Sequence, residues 1–138
     1  MGEELPKWVA VGVIMTLIAT LYIAGYPAFA ESPVPIKKPN TTDELISYYA
    51  EKYNVDEVLA RNIIYCESRF LEDATNYKAV VGVDVGLFQF NTHYWQSYMA
   101  EKGLDIYKTE DNIEAGMWLL SVEGSAPWKW SKPCWSNR

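Results

Sequence analysis

Glu67 has the setting of a carboxylic acid that could donate a proton. It closes a largely apolar helical run, Val58 to Cys66, and opens the tetrad Glu67-Ser68-Arg69-Phe70. On a helix it lies one turn beyond Ile63, which points it near the core side. Burial disfavours the charged form of a carboxyl group and can raise its pKa towards neutrality, as general-acid cleavage of a glycosidic bond requires. Glu67 is therefore the predicted catalytic residue.

Two further motifs follow Glu67 along the chain. The first is Gly86-Leu87-Phe88-Gln89-Phe90-Asn91, and the second is Asp111-Asn112-Ile113-Glu114-Ala115-Gly116. Each motif is short and common by itself, but the order and spacing of all three are much more specific. In that order they resemble the lytic transglycosylase and goose-type lysozyme superfamily, over about residues 43–124.

The resemblance implies an α+β, mostly helical, lysozyme-like fold with a small β-hairpin region beside an active-site cleft. It implies that Glu67 is the general acid and that the segment 86–91 lines the cleft opposite it. Phe88, Gln89 and Asn91 are accordingly predicted to bind substrate. The implied substrate is peptidoglycan, cleaved at the β-1,4 bond between N-acetylmuramic acid and N-acetylglucosamine.

The family mechanism uses one glutamate twice. It first protonates the glycosidic oxygen and then, as a carboxylate, deprotonates the 6-hydroxyl of the sugar, which closes a 1,6-anhydro ring. The N-acetyl group of the substrate stabilises the oxocarbenium-like centre. This resemblance therefore implies that a second protein carboxylate is dispensable.

The chain departs from the family at Asn91, where goose-type lysozymes carry an Asp. Glycosidases normally divide acid and nucleophile or base roles between two carboxylates, so this departure removes one candidate for the second role. Among Glu72, Asp73 and Asp84, the best placed is Asp84, just before the second motif. Asp84 is the candidate second carboxylate of a hydrolytic alternative.

A second departure lies near the C-terminus. The family usually carries an Ala-Tyr-Asn-Ala-Gly-like stretch whose Tyr contacts the acid, whereas this chain has Trp128, Trp130 and Trp135 there. No partner for Glu67 can be carried over by motif. Tyr107 and Trp130 are candidates for binding near the acid by residue type only.

Three functions follow from these residues. The leading one is a peptidoglycan lytic transglycosylase, and the second is a muramidase, which uses water on the same substrate. The third is a catalytically silent cell-wall-binding module, because a fold alone does not give a function. The presence of Glu67 within its motif argues against the third.

Composition favours a glycan partner over nucleic acid. Six Trp and ten Tyr provide flat rings that suit the apolar faces of sugars. The net charge of −6 argues against nucleic-acid binding, for which a basic face is expected. His93 is the only histidine, so no metal is expected, and no cofactor is implied.

Cys66 and Cys134 are the two cysteines of the chain. If the protein is exported, its environment permits these cysteines to form a disulfide. The bond would close a loop that spans most of the domain and would stabilise the fold by roughly 4 kcal/mol in the chain-entropy model. The bond would tie the end of the Glu67 helix to the Trp-rich tail. The alternative is two buried thiols, since free Cys is a common core residue.

Residues 1–30 are predicted to be a signal peptide or an N-terminal membrane anchor. No charged residue occurs from Trp8 to Ala30, a stretch long enough to span a bilayer, and Ala28-Phe29-Ala30 resembles an export cleavage site. Residues 31–40 form a Pro-rich linker and 41–138 the catalytic domain. The domain is expected outside the cytoplasm, in the periplasm, free outside the cell or membrane-anchored facing the wall. If residues 1–30 are not cleaved, residues 8–30 are its only expected membrane contact.

Local signals predict the helices of the domain. Thr41 and Glu44 form a capping box for a helix through about Tyr53, and Asp56 caps the helix that carries Glu67. The segment Asn76 to Phe90, rich in Val and punctuated by Gly, predicts short strands or a hairpin. Further along, Thr92 is expected to cap a helix to Lys102, Asp111 with Glu114 to cap one that ends at Gly124, and the tail 126–135 to form no helix.

Overall fold

The computed structural model describes residues 38–138. The predicted leader or anchor and most of the predicted linker lie outside the described residues. None of the helices in the described range is both long and apolar enough to cross a membrane.

The first two helices begin at the predicted caps. Helix α1 spans Thr42–Tyr53, with the Thr41 hydroxyl accepting the Glu44 N–H and the Glu44 carboxylate accepting the Thr41 N–H. It ends at Asn54, whose left-handed backbone closes the last turn. Helix α2 spans Glu57–Ser68 and begins at Asp56, whose side chain accepts two backbone N–H groups. Both predictions are confirmed.

Helix α2 places Glu67 in its last turn. The helix buries Ala60, Ile63 and Ile64 against the core. It stops because Arg69 and Phe70 both adopt positive φ, at 57° and 62°. The chain therefore turns away from the helix axis after Ser68, and the Glu67 carboxyl group lies at the helix end.

A small antiparallel sheet follows, in the order β1-β2-β3, with strands Thr75–Asn76, Asp84–Val85 and Phe90–Asn91. The β region is confirmed, but the Val-rich stretch is not its main component. Val80 and Val81 are exposed in the loop between β1 and β2. Packing decides strand formation more than intrinsic propensity does, and neither of these side chains belongs to the core.

Helix α3 spans Thr92–Glu101, and its cap is Asn91 rather than the predicted Thr92. The Asn91 side chain accepts the His93 N–H at 3.1 Å. The Thr92 hydroxyl instead accepts the N–H of Val83 at 3.1 Å, across the loop that precedes β2. This bond engages the hydroxyl that was predicted to cap the helix. Helix α3 ends at Glu101, one residue before the predicted end.

Helix α4 spans Thr109–Glu123 and ends at Gly124, as predicted. Its predicted cap is wrong, because the helix begins before Asp111 and no side chain caps it. The Asp111 carboxylate accepts the Asp105 N–H at 2.9 Å. Glu114 is engaged elsewhere, accepting hydrogen bonds from Lys52 and Tyr53 of α1.

The tail contains a 3₁₀ helix, Ala126–Ser131, followed by a single α-helical turn, α5, at Lys132–Trp135. The expectation of no helix there is wrong at this level of detail. Pro127 and Pro133 lie in the first turns of these elements, where a missing N–H breaks no intrahelical hydrogen bond. Both helices are therefore short rather than absent.

Helix α4 supports the segment that contains the second motif. Asn112, 1% exposed, accepts the Phe88 N–H at 3.0 Å and donates to the carbonyls of Val85 and Ile106. One turn further, Gly116 is so close to Phe88 that a Cβ there would lie 2.2 Å from the ring. The third motif of the sequence therefore holds the second in place.

Cys66 and Cys134 form a disulfide, as predicted, across a sequence separation of 68. The bond joins the last turn of α2 to α5 and excludes the alternative of two buried thiols. It therefore links the element that carries Glu67 to the C-terminal tail by a covalent bond.

Reduction of this disulfide should lower the melting temperature of the domain. The loop is long, so the chain-entropy model gives a loss of up to about 4 kcal/mol in the free energy of unfolding. Thermal denaturation with and without reductant measures the effect. The double variant Cys66→Ser/Cys134→Ser is the control, and its melting temperature should not respond to reductant. An unchanged melting temperature of the wild type, with both thiols shown to be free, would contradict the prediction.

Candidate active site

Glu67 lines an open cleft of about 340 Å³. The cleft is formed by the end of α2, by β2 and the segment 88–91, by the start of α3 and by the 3₁₀ helix of the tail. Of the predicted site residues, it brings together Glu67, Asp84, Phe88, Gln89, Asn91 and Trp130.

Two effects raise the pKa of Glu67 above the ordinary carboxyl value and one opposes them. Burial of the half-buried side chain is the largest, because it disfavours the charged form. A hydrogen bond from Ser131 lowers the pKa, and the nearby charge of Asp84 raises it. The net shift is upward, so Glu67 retains its proton to higher pH than an exposed glutamate.

Ser131 is the hydrogen-bond partner of Glu67. Its hydroxyl oxygen lies 2.5 Å from Glu67 Oε1 and 3.1 Å from the carbonyl oxygen of Trp128. Ser131 was not among the sequence-based candidates, and its distance of 64 positions from Glu67 leaves no local signal for the contact. The serine lies in the tail, where the family motif with its Tyr is absent.

Tyr107 lies away from the cleft. It is exposed and borders a separate hollow lined by Glu72, Asp73 and Thr75. Its assignment by residue type alone is therefore not supported by its position. Trp130, the other candidate of this kind, does line the cleft and is 87% exposed.

Gln89 supports the cleft wall with its amide group. Its Nε2 donates to the carbonyl oxygens of Ala74 at 3.1 Å and Gly86 at 2.8 Å. Its φ of 52° is uncommon for a residue other than glycine, and such strained conformations cluster at functional sites. The two hydrogen bonds help to hold the backbone in this conformation.

Asp84 and Asn91 form a polar pair on the same wall. Asn91 donates from Nδ2 to Asp84 Oδ1 at 2.8 Å and to the Val81 carbonyl, while Asn76 donates to Asp84 Oδ2 at 3.0 Å. Both oxygens of Asp84 thus accept an asparagine amide. This arrangement follows the register of the sheet, in which Asp84 lies opposite Asn76 on one side and Asn91 on the other.

Aromatic rings make up much of the remaining cleft surface. Trp128 is buried, donates from Nε1 to the Phe88 carbonyl at 3.0 Å and packs against the Phe88 ring. Tyr94 is 65% exposed, and Trp95 packs edge-on against Phe90. Tyr94 and Trp95 were not predicted as site residues, although they closely follow the second motif in sequence.

The described part of the chain contains no group of three or more His, Cys, Asp or Glu side chains that could hold a metal ion. The His93 ring contacts the Tyr94 ring edge-on, at 4.9 Å between centroids. The titratable groups that line the cleft are two carboxyl groups, Glu67 and Asp84, and the phenol of Tyr94.

A mostly helical domain with a small antiparallel sheet beside an open cleft has the lysozyme-like class of fold. More specifically, the chain belongs to the family described as the transglycosylase SLT domain, whose family model matches residues 44–126. No curated protein and no solved structure matches the chain significantly. Membership of the family supports a glycan-cleaving function of the lytic transglycosylase type, directed at peptidoglycan, and a location facing the cell wall.

Glu67→Gln should stabilise the domain at neutral pH. The folded chain raises the pKa of Glu67 above its unfolded value, so stability linked to this group is present below the unfolded pKa and lost as pH rises through the folded pKa. Gln is neutral throughout, so the variant should melt higher than the wild type at about pH 7.5, and the difference should vanish near about pH 3.5.

Thermal denaturation at the two pH values tests this, with Glu123→Gln as the matched control because Glu123 is exposed. Equal melting temperatures of Glu67→Gln and wild type at about pH 7.5 would show that the ionised Glu67 carries no desolvation cost.

Proposed function

We propose that this chain is a peptidoglycan lytic transglycosylase that cleaves the β-1,4 bond between N-acetylmuramic acid and N-acetylglucosamine. The observation that supports it most is the half-buried Glu67 carboxyl group, with its raised pKa, on the wall of an open cleft. The protonated Glu67 donates its proton to the glycosidic oxygen, and the bond to the anomeric carbon breaks. The N-acetyl group of the substrate stabilises the cationic centre.

The second step returns the proton to Glu67. The carboxylate removes the proton of the 6-hydroxyl, and that oxygen bonds to the anomeric carbon to close the 1,6-anhydro ring. No water is consumed, and Glu67 ends the cycle protonated. A single group that alternates between the two states benefits from a pKa near the working pH.

The cleft surface around Glu67 is proposed to bind the glycan strand. Trp130 and Tyr94 are the exposed rings, and each can stack on the apolar face of a sugar. Phe88, Gln89 and Asn91 line the cleft, but their backbone and amide groups already make internal hydrogen bonds. Their proposed role is to shape the wall opposite Glu67.

A hydrolytic muramidase is the second candidate, because Asp84 lines the same cleft and its charge acts on Glu67. In that mechanism Asp84 would activate a water molecule or stabilise the cationic centre. The two asparagine amides that Asp84 accepts occupy one acceptor site on each of its oxygens. This engagement favours a structural role for Asp84 and the transglycosylase mechanism for the chain.

The segment before the domain is proposed to export it. Residues 1–30 would act as a signal peptide or membrane anchor and residues 31–40 as a spacer, which fits the uncharged stretch and the prolines in these ranges. The disulfide fits a location in an oxidising compartment.

Glu67→Gln should lower turnover of purified peptidoglycan by at least roughly 10²-fold, the usual contribution of a general acid. Because the first step needs protonated Glu67, wild-type turnover should fall as pH rises through the raised pKa of this group. Glu123→Gln, the same chemical change at an exposed position, should keep wild-type turnover. Wild-type turnover in Glu67→Gln would refute the assignment.

The products distinguish the two enzyme mechanisms. Mass spectrometry of the digest should find muropeptides that end in 1,6-anhydro sugars, without a reducing end. Asp84→Asn should still form them, with its alkaline limit at lower pH, because removing the Asp84 charge lowers the pKa of Glu67. Mainly reducing-end products, lost in Asp84→Asn, would instead identify a muramidase with Asp84 as its second carboxylate.

A further inference from the structure

We propose that Ser131 is the positioning residue of Glu67, which tethers one carboxyl oxygen so that the other carries the transferred proton into the cleft. This inference rests on the proposed function of Glu67. It assigns a role in the reaction to the C-terminal tail, which lies beyond the residues 44–126 that the family model matches.

The hydrogen bonds of Glu67 divide its two oxygens. Oε1 accepts the Ser131 hydroxyl at 2.5 Å, whereas Oε2 receives no hydrogen bond from residues 38–138. The Ser131 hydroxyl has a single proton, and the Glu67 carboxylate accepts it in preference to the Trp128 carbonyl, 3.1 Å away, because a charged acceptor forms the stronger bond. Oε1 keeps this bond in protonated Glu67 when the acidic proton resides on Oε2. Ser131 therefore favours Oε2 as the oxygen that gives a proton to the glycosidic oxygen and removes one from the 6-hydroxyl.

The chain on both sides of Ser131 is held in place. Three positions before it, the buried Trp128 donates from Nε1 to the carbonyl of Phe88, and the Trp128 carbonyl accepts the Trp135 Nε1–H at 3.0 Å. Three positions after it, Cys134 is bonded to Cys66, the neighbour of Glu67 in the chain. These contacts fix the serine relative to both the acid and the cleft wall.

Two effects of the serine act together on the acid. The hydrogen bond orients the carboxyl group, and it also favours the ionised form, which opposes the effect of burial on the pKa of Glu67. Removing the hydroxyl should therefore lower turnover and raise the pKa of Glu67. A substitution that merely loosened the tail and admitted water would lower this pKa, because hydration favours the ionised form.

The test compares three variants by the pH dependence of kcat on peptidoglycan. Ser131→Ala should lower kcat by roughly tenfold, the effect of losing one hydrogen bond to a charged group, and move the alkaline limit to higher pH. Ser131→Thr retains the hydroxyl and should restore both properties. Ser136→Ala, an exposed serine of the same tail, should change neither.

A titration of the Glu67 carboxyl carbon by NMR provides a readout that needs no activity. The pKa of Glu67 should be higher in Ser131→Ala than in the wild type, with both chains folded by circular dichroism. An unchanged or lower pKa in Ser131→Ala would overturn the proposal, as would unchanged kcat and pH limit. Failure of the proposed function would appear separately, as full activity of Glu67→Gln.

Discussion

The partial burial of the Glu67 carboxyl group is the constraint on which the arrangement of the site depends. A partly buried carboxylate needs hydrogen-bond donors, but in the proposed acid role it must also bind a proton, which too many donors would disfavour. One hydrogen bond, from Ser131 to Oε1, meets both needs. Within residues 38–138, the second oxygen, Oε2, receives no hydrogen bond. The position of Glu67 in the last turn of α2 also favours the protonated form, because the negative end of a helix dipole disfavours a negative charge.

The cleft wall formed by the small sheet is held by a different kind of contact. Its strands contain only two residues each, too few for backbone pairing to define them alone. Their support comes from α4, where Asn112 binds the backbone on either side of the turn and Gly116 allows the Phe88 ring to approach the helix. The three sequence motifs thus have separate structural roles. The first carries Glu67, the second forms the cleft wall, and the third attaches that wall to the core.

Predictions of helix caps succeeded where the side chain binds backbone groups in the first turn of its own helix. They failed where the side chain binds a group outside that turn. Thr41 and Asp56 cap their helices because the groups they bind are two or three positions away. Thr92 and Asp111 carry the same local signal, but each accepts a backbone N–H from outside its helix. The donor is Val83 for Thr92, nine positions away, and Asp105 for Asp111, six positions away. Sequence offers no means of ranking such competitors.

The same distinction holds at the site. The position of Glu67 in the cleft was predictable because an apolar helical face and a motif both point to it, and those of Asp84 and Asn91 because the first precedes the second motif and the other ends it. Ser131 was not, since its contact depends on how the tail returns across the domain. Tyr107 was proposed by residue type, which carries no information about position, and it lies beside another hollow.

The boundary of the shared family region and the boundary of the folded unit do not coincide. A chain cut after residue 126 would retain all three motifs, yet it would carry an unpaired Cys66 thiol beside the acid. The Phe88 carbonyl would lose its hydrogen bond from the Trp128 indole, and the Phe88 ring would keep Phe90 but lose Trp128 as an aromatic neighbour. Such a fragment would lack both the covalent bond between α2 and the tail and the contacts of Trp128, so the folded unit of this protein extends beyond the region that defines its family.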